Sequence, residues 1–161
     1  LGCLLSHLEI IKYANNYNFK NIIILEDDII LIKDFSKRLK ESMTKLKTDW
    51  LLLYIGSTQK QWKNIDIKDG YYNANETFGA FAYCINHKLY NEYISLLSTL
   101  TQPVDICLQI LQNKYKKRSI VLYPNLIISD VSTSKIYKSR NMVEYSNKYR
   151  WDLNEYDYDI N

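Results

Sequence analysis

Two short apolar runs, each following an amphipathic helical pattern, predict an α/β fold in which helices flank a sheet. The first run, residues 22–25, is β-branched and free of polar residues, so we expect a strand buried on both faces. The second run, residues 50–55, ends at Gly56. Helix and strand alternate with short links, which favours parallel pairing, and 161 residues are enough for one domain with a substantial core.

Apolar periodicity and capping residues predict the other elements. Leu4, Leu8 and Ile11 share one face of a first helix. Pro103 suits the first position of a later helix, and Asp105 suits the positive end of its dipole. Helices are therefore expected over residues 2–17, 33–47, 87–97 and after Pro103, and further strands over residues 79–85, 119–123 and 126–128.

Two segments lack a sustained period. Residues 57–75 are polar, so we expect a long loop with one short strand at residues 70–73. A loop of this length inside a compact domain is often functional. A domain over residues 1–136 is followed by residues 137–161, which are rich in Tyr, Asn and Asp, and we expect an irregular C-terminal arm there.

Three consecutive carboxylates, Glu26, Asp27 and Asp28, end the first predicted strand. Side chains alternate along an extended segment, so Glu26 and Asp28 should point one way and Asp27 the other. Ligands bind outside the carboxyl ends of strands in open α/β sheets, and hard cations such as Mg²⁺ and Mn²⁺ prefer oxygen ligands. The stretch therefore indicates a cation site, the alternative being a solvated acidic turn.

Composition and charge exclude several classes of function. The chain is 47% hydrophobic and 24% charged, which is typical of a globular protein. A net charge of +3, without a basic stripe, argues against a nucleic-acid partner. Cys3, Cys84 and Cys107 are scattered, which predicts reduced thiols and a cytoplasmic location. No apolar run has membrane-spanning length, and none is typical of a signal peptide.

Five short segments, in this order, resemble the glycosyltransferase family 25 proteins, which include bacterial lipooligosaccharide galactosyltransferases and collagen glycosyltransferase domains. The resemblance covers roughly residues 2 to 136. The matching elements are Gly2-Cys-x-x-Ser-His7, Leu25-Glu-Asp-Asp28, Gly79-x-x-x-Tyr83, Pro103-Val-Asp105, and Tyr123-Pro124 followed by Ser134-x-Ile136.

The resemblance implies a GT-A-like, Rossmann-like mixed sheet flanked by helices, and inverting transfer from a nucleotide-sugar, a UDP-sugar, with Mn²⁺ or Mg²⁺. The acceptor would be a hydroxyl group on a glycan, a lipooligosaccharide or hydroxylysine. Asp28 would bind the metal, with Glu26 or Asp27 supporting it or the donor. Asp130, just past the last strand, could complete the metal shell, or could be an ordinary turn aspartate.

Four further residues are implicated by the resemblance. Inverting transfer needs a base for the acceptor hydroxyl, and Asp105 is the candidate, although it could serve only to stabilise its helix. Ser6 and His7 on the first helix are expected near the donor, with His7 as a packed or hydrogen-bonded helix residue. Gly79 is expected to approach the sugar closely, or is simply a strand break. Trp62 in the long loop could stack on a sugar or anchor the loop to the core.

Two alternatives remain open at this point. The family carries an N-terminal strand–helix unit ahead of Gly2, so we expect a fold truncated at the N-terminus. This leaves open a transferase-derived binding or scaffold domain that is catalytically impaired. The other alternative is a receiver-like Mg²⁺-binding domain, which needs an aspartate at the end of a central strand. The run 50–55 ends in Gly56 and Ser57 instead, and Asp49 lies at its other end.

Overall fold

A computed structural model describes residues 2–46, 49–133 and 140–158. Within these residues, a five-stranded sheet has helices on its faces, and a two-stranded ribbon lies beside it. The strands are β1 (Asn21–Leu25), β2 (Ile29–Leu31), β3 (Leu52–Gln59), β4 (Tyr71–Asn73), β5 (Thr77–Asn86), β6 (Ser119–Leu122) and β7 (Ile127–Ser129). The α-helices are α1 (Gly2–Asn16), α2 (Phe35–Lys45), α3 (Tyr90–Ser98), α4 (Val104–Lys114) and α5 (Met142–Tyr149).

The sheet is mixed, which confirms the predicted α/β class. Its order is β1-β5-β3-β6-β4. The expectation of parallel pairing was wrong for most of it: among the described strands of this sheet, β3 and β6 are the parallel pair and the other neighbours are antiparallel. A polar loop and the short strand β4 connect β3 to β5, and no helix lies between them. Without a helical crossover, β5 can pair with β3 in the antiparallel direction.

Strand β1 is not buried on both faces, contrary to the sequence prediction. Ile24 is 3% exposed and packs with Leu8 and Ile11 of α1, whereas Ile23 is 51% and Leu25 46% exposed. The physical reason is position: in the described structure β1 pairs with β5 alone and lies at the edge of the sheet.

Two apolar clusters form the core, one on each face of the sheet. Strand β3 contributes to both, because its side chains alternate: Leu52 and Tyr54 join the cluster containing α1, α3 and α4, and Leu53 and Ile55 join the other. All four are fully buried. Packing on both faces of the sheet holds the carboxyl ends of the strands in fixed positions.

The ribbon of β2 and β7 was only half predicted. The strand expected at residues 126–128 exists, but it pairs antiparallel with β2, which the sequence analysis missed, and Ile29 lies opposite Ser129. This pairing places the acidic turn Glu26–Asp28 beside the residues that follow β7.

The irregular arm expected over residues 137–161 contains a helix, so that expectation was wrong for residues 142–149. Asn141 caps α5 by accepting a hydrogen bond from the backbone N–H of Glu144. Downstream, Trp151 and Tyr156 are 5% and 2% exposed and belong to the second core cluster. The segment escaped the pattern analysis because its helix has only eight residues and its apolar contacts are aromatic.

Candidate functional site

A cleft of about 600 Å³ opens at the carboxyl end of β1, beside the start of β5 and the first turn of α4. Its wall includes Glu26, Gly79 and Asp105, three of the residues predicted from the sequence. Cys3 and Ser129 also line it. The fold therefore brings together side chains as far apart in sequence as Cys3 and Ser129.

Asp105 is held against the backbone of β5. Its Oδ1 accepts a hydrogen bond from the N–H of Gly79 at 3.0 Å. Burial raises the pKa of the Asp105 carboxyl, the Gly79 N–H opposes the rise, and the charge of Glu26 adds to it. A carboxylate with a raised pKa, fixed at a cleft wall, is suited to accept a proton from a substrate.

Gly79 is required by both its conformation and its surroundings. Its φ of +124° is one that residues with a side chain rarely adopt. A Cβ at this position would lie 2.8 Å from Cε1 of Phe81 and 3.1 Å from Cα of Ser57. The missing side chain therefore lets β5 present its N–H to Asp105 at the cleft.

Glu26 contacts two residues of α1. The thiol of Cys3 donates to Oε1 at 3.3 Å, and Nε2 of His7 lies 3.4 Å from the same oxygen. The hydrogen bond with His7 is the main cause that lowers the pKa of Glu26, while burial opposes it. Glu26 is thus held as a carboxylate at the cleft.

His7 links the cleft to the interior of the protein. The side chain is almost completely buried, and its Nδ1 lies 2.8 Å from the hydroxyl of Tyr83. That hydroxyl is 3.0 Å from the hydroxyl of Tyr93. A chain of polar contacts therefore runs from Glu26 through His7 into the core.

One observation supports Asp28 as a cation ligand. Its Oδ2 accepts from the Ser129 hydroxyl at 3.0 Å, but its Oδ1 is buried without a hydrogen-bond partner. Burial raises the pKa of Asp28, and the charges of Glu26 and Asp27 add to the rise. A buried acceptor without a partner is costly, and a divalent cation would satisfy it. Asp27 itself is exposed to solvent.

Asp130 lies beside Asp28 through the backbone. Its N–H donates to the carbonyl oxygen of Asp28 at 2.7 Å, while its Oδ1 accepts from the N–H and the hydroxyl of Ser132 at 2.9 and 2.5 Å. Among the described residues, the three whose ligating atoms lie within 4.8 Å of one another are Cys3, His7 and Glu26. The structure thus groups Glu26 with α1 rather than with Asp130.

Comparison with known proteins places the chain in a family. The model of the family described as glycosyltransferase family 25 (LPS biosynthesis protein) matches residues 1–108. The chain belongs to glycosyltransferase family 25. This membership removes the receiver-like alternative, and the matched range contains every predicted site residue except Asp130.

Among the relatives of this family 25 chain is procollagen galactosyltransferase 2 of Mus musculus. It is 32% identical over 66 residues, a stretch that covers 39% of this chain and 11% of the relative. The chain therefore aligns with a small part of that protein. In the described part of the chain, none of the helices combines the length and the apolar character needed to cross a membrane.

Other predicted residues of the family 25 chain lie away from the cleft. Ser6 is exposed, and its hydroxyl donates to the carbonyl of Gly2 one helical turn earlier, at 3.2 Å. Trp62 packs against Tyr72 and Tyr123 with ring centroids 5.9 and 5.7 Å away, so it anchors the long loop. Ser134 and Ile136, part of the motif comparison, lie outside the described residues.

Cys3 is the site residue that the sequence analysis missed. It appeared in the sequence analysis as one of three scattered thiols and within the Gly2-Cys-x-x-Ser-His7 element, but not as a predicted site residue. The available signal was its separation from His7: residues four apart lie on the same face of a helix.

Proposed function

We propose that this chain transfers a sugar from a UDP-sugar to a hydroxyl acceptor, with inversion and with the help of a divalent metal. Family membership gives the reaction class. The observation that carries the proposal for this chain is the position of Asp105: a carboxylate with a raised pKa, fixed by a backbone N–H, in the same cleft as the acidic end of β1.

Asp105 acts as the general base. Its carboxylate takes the proton of the acceptor hydroxyl, whose oxygen bonds to the anomeric carbon on the face opposite the diphosphate. The bond from that carbon to the diphosphate breaks, which releases UDP and inverts the configuration. The N–H of Gly79 holds the carboxylate in place throughout.

Asp28 is the residue that would hold the metal, through its unpaired Oδ1, with Asp130 next to it. A bound Mn²⁺ or Mg²⁺ supplies Lewis-acid stabilisation of the diphosphate as it leaves. Glu26, already in contact with Cys3 and His7, lines the cleft and can accept hydrogen bonds from the hydroxyl groups of the ribose or sugar.

A donor screen tests the proposal. UDP release is measured with UDP-galactose, UDP-glucose and their N-acetyl forms, with and without Mn²⁺; the name of the mouse relative makes UDP-galactose the first donor to try. We expect metal-dependent release from one donor and a loss of about 100-fold or more in Asp105→Asn. Asp66→Asn, an exposed change outside this cleft, is the matched control.

The catalytically impaired alternative makes a different prediction. A binding or scaffold domain retains affinity for UDP but releases none from any donor. Binding without turnover would therefore reject the transfer proposal and leave the nucleotide site standing.

A further inference from the structure

We propose that Cys3, His7 and Glu26 form a binding site for a transition-metal ion, with Zn²⁺ as the preferred occupant. The ligand atoms are the sulfur of Cys3, a ring nitrogen of His7 and a carboxylate oxygen of Glu26, and all three lie within 4.8 Å of one another. The proposal concerns metal binding and does not depend on sugar transfer.

Two of the three ligand–ligand distances match the edges of a tetrahedron. Ligands bonded at 2.0 to 2.3 Å to a tetrahedral Zn²⁺ lie about 3.3 to 3.8 Å apart. Glu26 Oε1 is 3.3 Å from the sulfur of Cys3 and 3.4 Å from Nε2 of His7. The sulfur of Cys3 and the ring nitrogen of His7 lie within 4.8 Å, so a closing shift of at most about 1 Å at this pair would complete the tetrahedral spacing.

The fold holds the three ligands in place. Cys3 and His7 are four residues apart on α1, so both project from one face of the helix. Leu4 and Leu8, which alternate with them, are buried in the core and fix the rotation of the helix. Glu26 comes from the end of β1, where its N–H continues the sheet by donating to the carbonyl of Phe81 at 2.9 Å.

The outer contacts of His7 are those of a metal ligand. Metal-binding histidines usually have the second ring nitrogen held by a hydrogen bond, which fixes the ring and the tautomer. Here the hydroxyl of Tyr83 is 2.8 Å from Nδ1, and it can accept the Nδ1 proton while donating to Tyr93. In the metal-free cluster Nε2 carries the proton that hydrogen-bonds to Glu26; when the proton is on Nδ1 instead, the Nε2 lone pair faces Glu26 and is available to the ion.

The donor set selects the metal. Thiolate and imidazole favour Zn²⁺ over Mg²⁺ and Mn²⁺, so this site differs in chemistry from the oxygen position at Asp28. Cys3 and Glu26 line the cleft, so a fourth coordination position would open toward it. Three protein ligands with one open position are typical of zinc sites that bind water or a substrate oxygen.

The competing interpretation is a metal-free hydrogen-bonded cluster. Burial, together with the charge of Glu26, raises the pKa of Cys3 to about 12, so without an ion the thiol keeps its proton and donates it to Glu26. A zinc ion would displace that proton. The two interpretations therefore differ in the state of the Cys3 sulfur.

Cobalt substitution distinguishes them. The purified chain is stripped of metal and titrated with Co²⁺ alone, and we expect a thiolate-to-cobalt charge-transfer band that saturates at one equivalent and is lost on adding Zn²⁺. Cys3→Ser should abolish the band, and Cys107→Ser, a change at a buried thiol, should keep it. Absence of the band in the wild-type chain would overturn the proposal.

A second measurement needs no variant at the site. With Zn²⁺ present, the rate of Cys3 alkylation should change at least tenfold relative to the metal-free chain, because the ion replaces the proton on the sulfur; the rate is followed by peptide mass spectrometry. Tyr83→Phe, which removes the contact to Nδ1, should weaken zinc binding by about 10- to 100-fold. Unchanged alkylation of Cys3 at saturating Zn²⁺ would reject the site.

Discussion

The geometry at Gly79 gives a prediction whose magnitude can be worked out. In Gly79→Ala the added methyl group meets Phe81 at 2.8 Å and Ser57 at 3.1 Å. Phe81 is 7% exposed and Ser57 is 1% exposed, so neither can move freely. The alanine must also adopt the φ of +124° or shift the start of β5.

Two costs add. Holding a non-glycine residue at positive φ costs about 1–2 kcal/mol, and crowding a packed interior costs about 1–3 kcal/mol. The lower entropy of unfolded alanine returns about 0.5–1 kcal/mol. With the midpoints of these ranges, the net loss of unfolding free energy is about 3 kcal/mol, which for a chain of this size lowers Tm by about 6–12 °C.

Gly70→Ala is the matched control. Gly70 also has positive φ, +80°, but the atoms nearest to its added Cβ are 3.6 and 3.9 Å away. There the conformational cost is opposed by the same entropy gain and no crowding is added, so we expect a fall in Tm of about 2–3 °C by scanning calorimetry. Equal falls for the two variants would refute the close contact at Gly79 and the placement of its N–H against Asp105.

Three further predictions test the site and the core. Burial raises the pKa of Asp105, so its contribution to stability is present below the ordinary carboxyl pKa and is lost as pH rises through the raised value. Urea denaturation should therefore show the wild type losing stability relative to Asp105→Asn as pH rises above the ordinary carboxyl pKa of about 3.9; a constant difference would contradict the raised pKa. Tyr83→Phe leaves Nδ1 of His7 buried without its partner and should lower the free energy of unfolding by about 1–3 kcal/mol in the same assay. If no loss is measured, the chain of polar contacts from Glu26 into the core is contradicted. Trp151→Ala should cost about 3–5 kcal/mol, because the indole is 5% exposed in the second core cluster. Tyr17→Ala, at a residue 62% exposed, should stay within about 0.5 kcal/mol, and equal effects would show that the C-terminal segment does not pack as described.

Local patterns predicted the elements well where local physics decides. Pro103 ends up immediately before α4, and Asp105 lies in its first turn, as capping and dipole preferences indicated. The apolar stripe of the first helix, with Leu4, Leu8 and Ile11 on one face, is the buried face of α1.

Sheet position could not be read in the same way. The run Ile22–Leu25 has the composition of a central strand, yet β1 lies at an edge, where Ile23 and Leu25 are exposed. The composition of a segment shows which of its residues are apolar. Whether those residues are buried depends on which other strands and helices pack against the segment. Pairing direction depends likewise on connections such as the polar excursion between β3 and β5.

The candidate site was predicted in its parts but not in its arrangement. Glu26, Gly79 and Asp105 share one cleft, as the ordered motifs implied. The partners of Glu26 were not foreseen, because the distance from β1 to α1 depends on how the helix packs on the sheet. The contact of Glu26 with Cys3 and His7 is therefore a feature of the tertiary structure. The four-residue spacing of Cys3 and His7 indicated only that these two lie on one face of the helix.

Binding of UDP tests the central claim most directly. The melting temperature of the purified chain is measured with UDP, with Mn²⁺, and with both. At about 100 times its dissociation constant, a ligand adds about 2.7 kcal/mol of stability, a rise of about 5–10 °C for a chain of this size. We expect that rise only with UDP and Mn²⁺ together, and its loss in Asp28→Ala. No response to UDP or to any other nucleotide, with or without metal, would contradict a nucleotide-sugar site in this cleft.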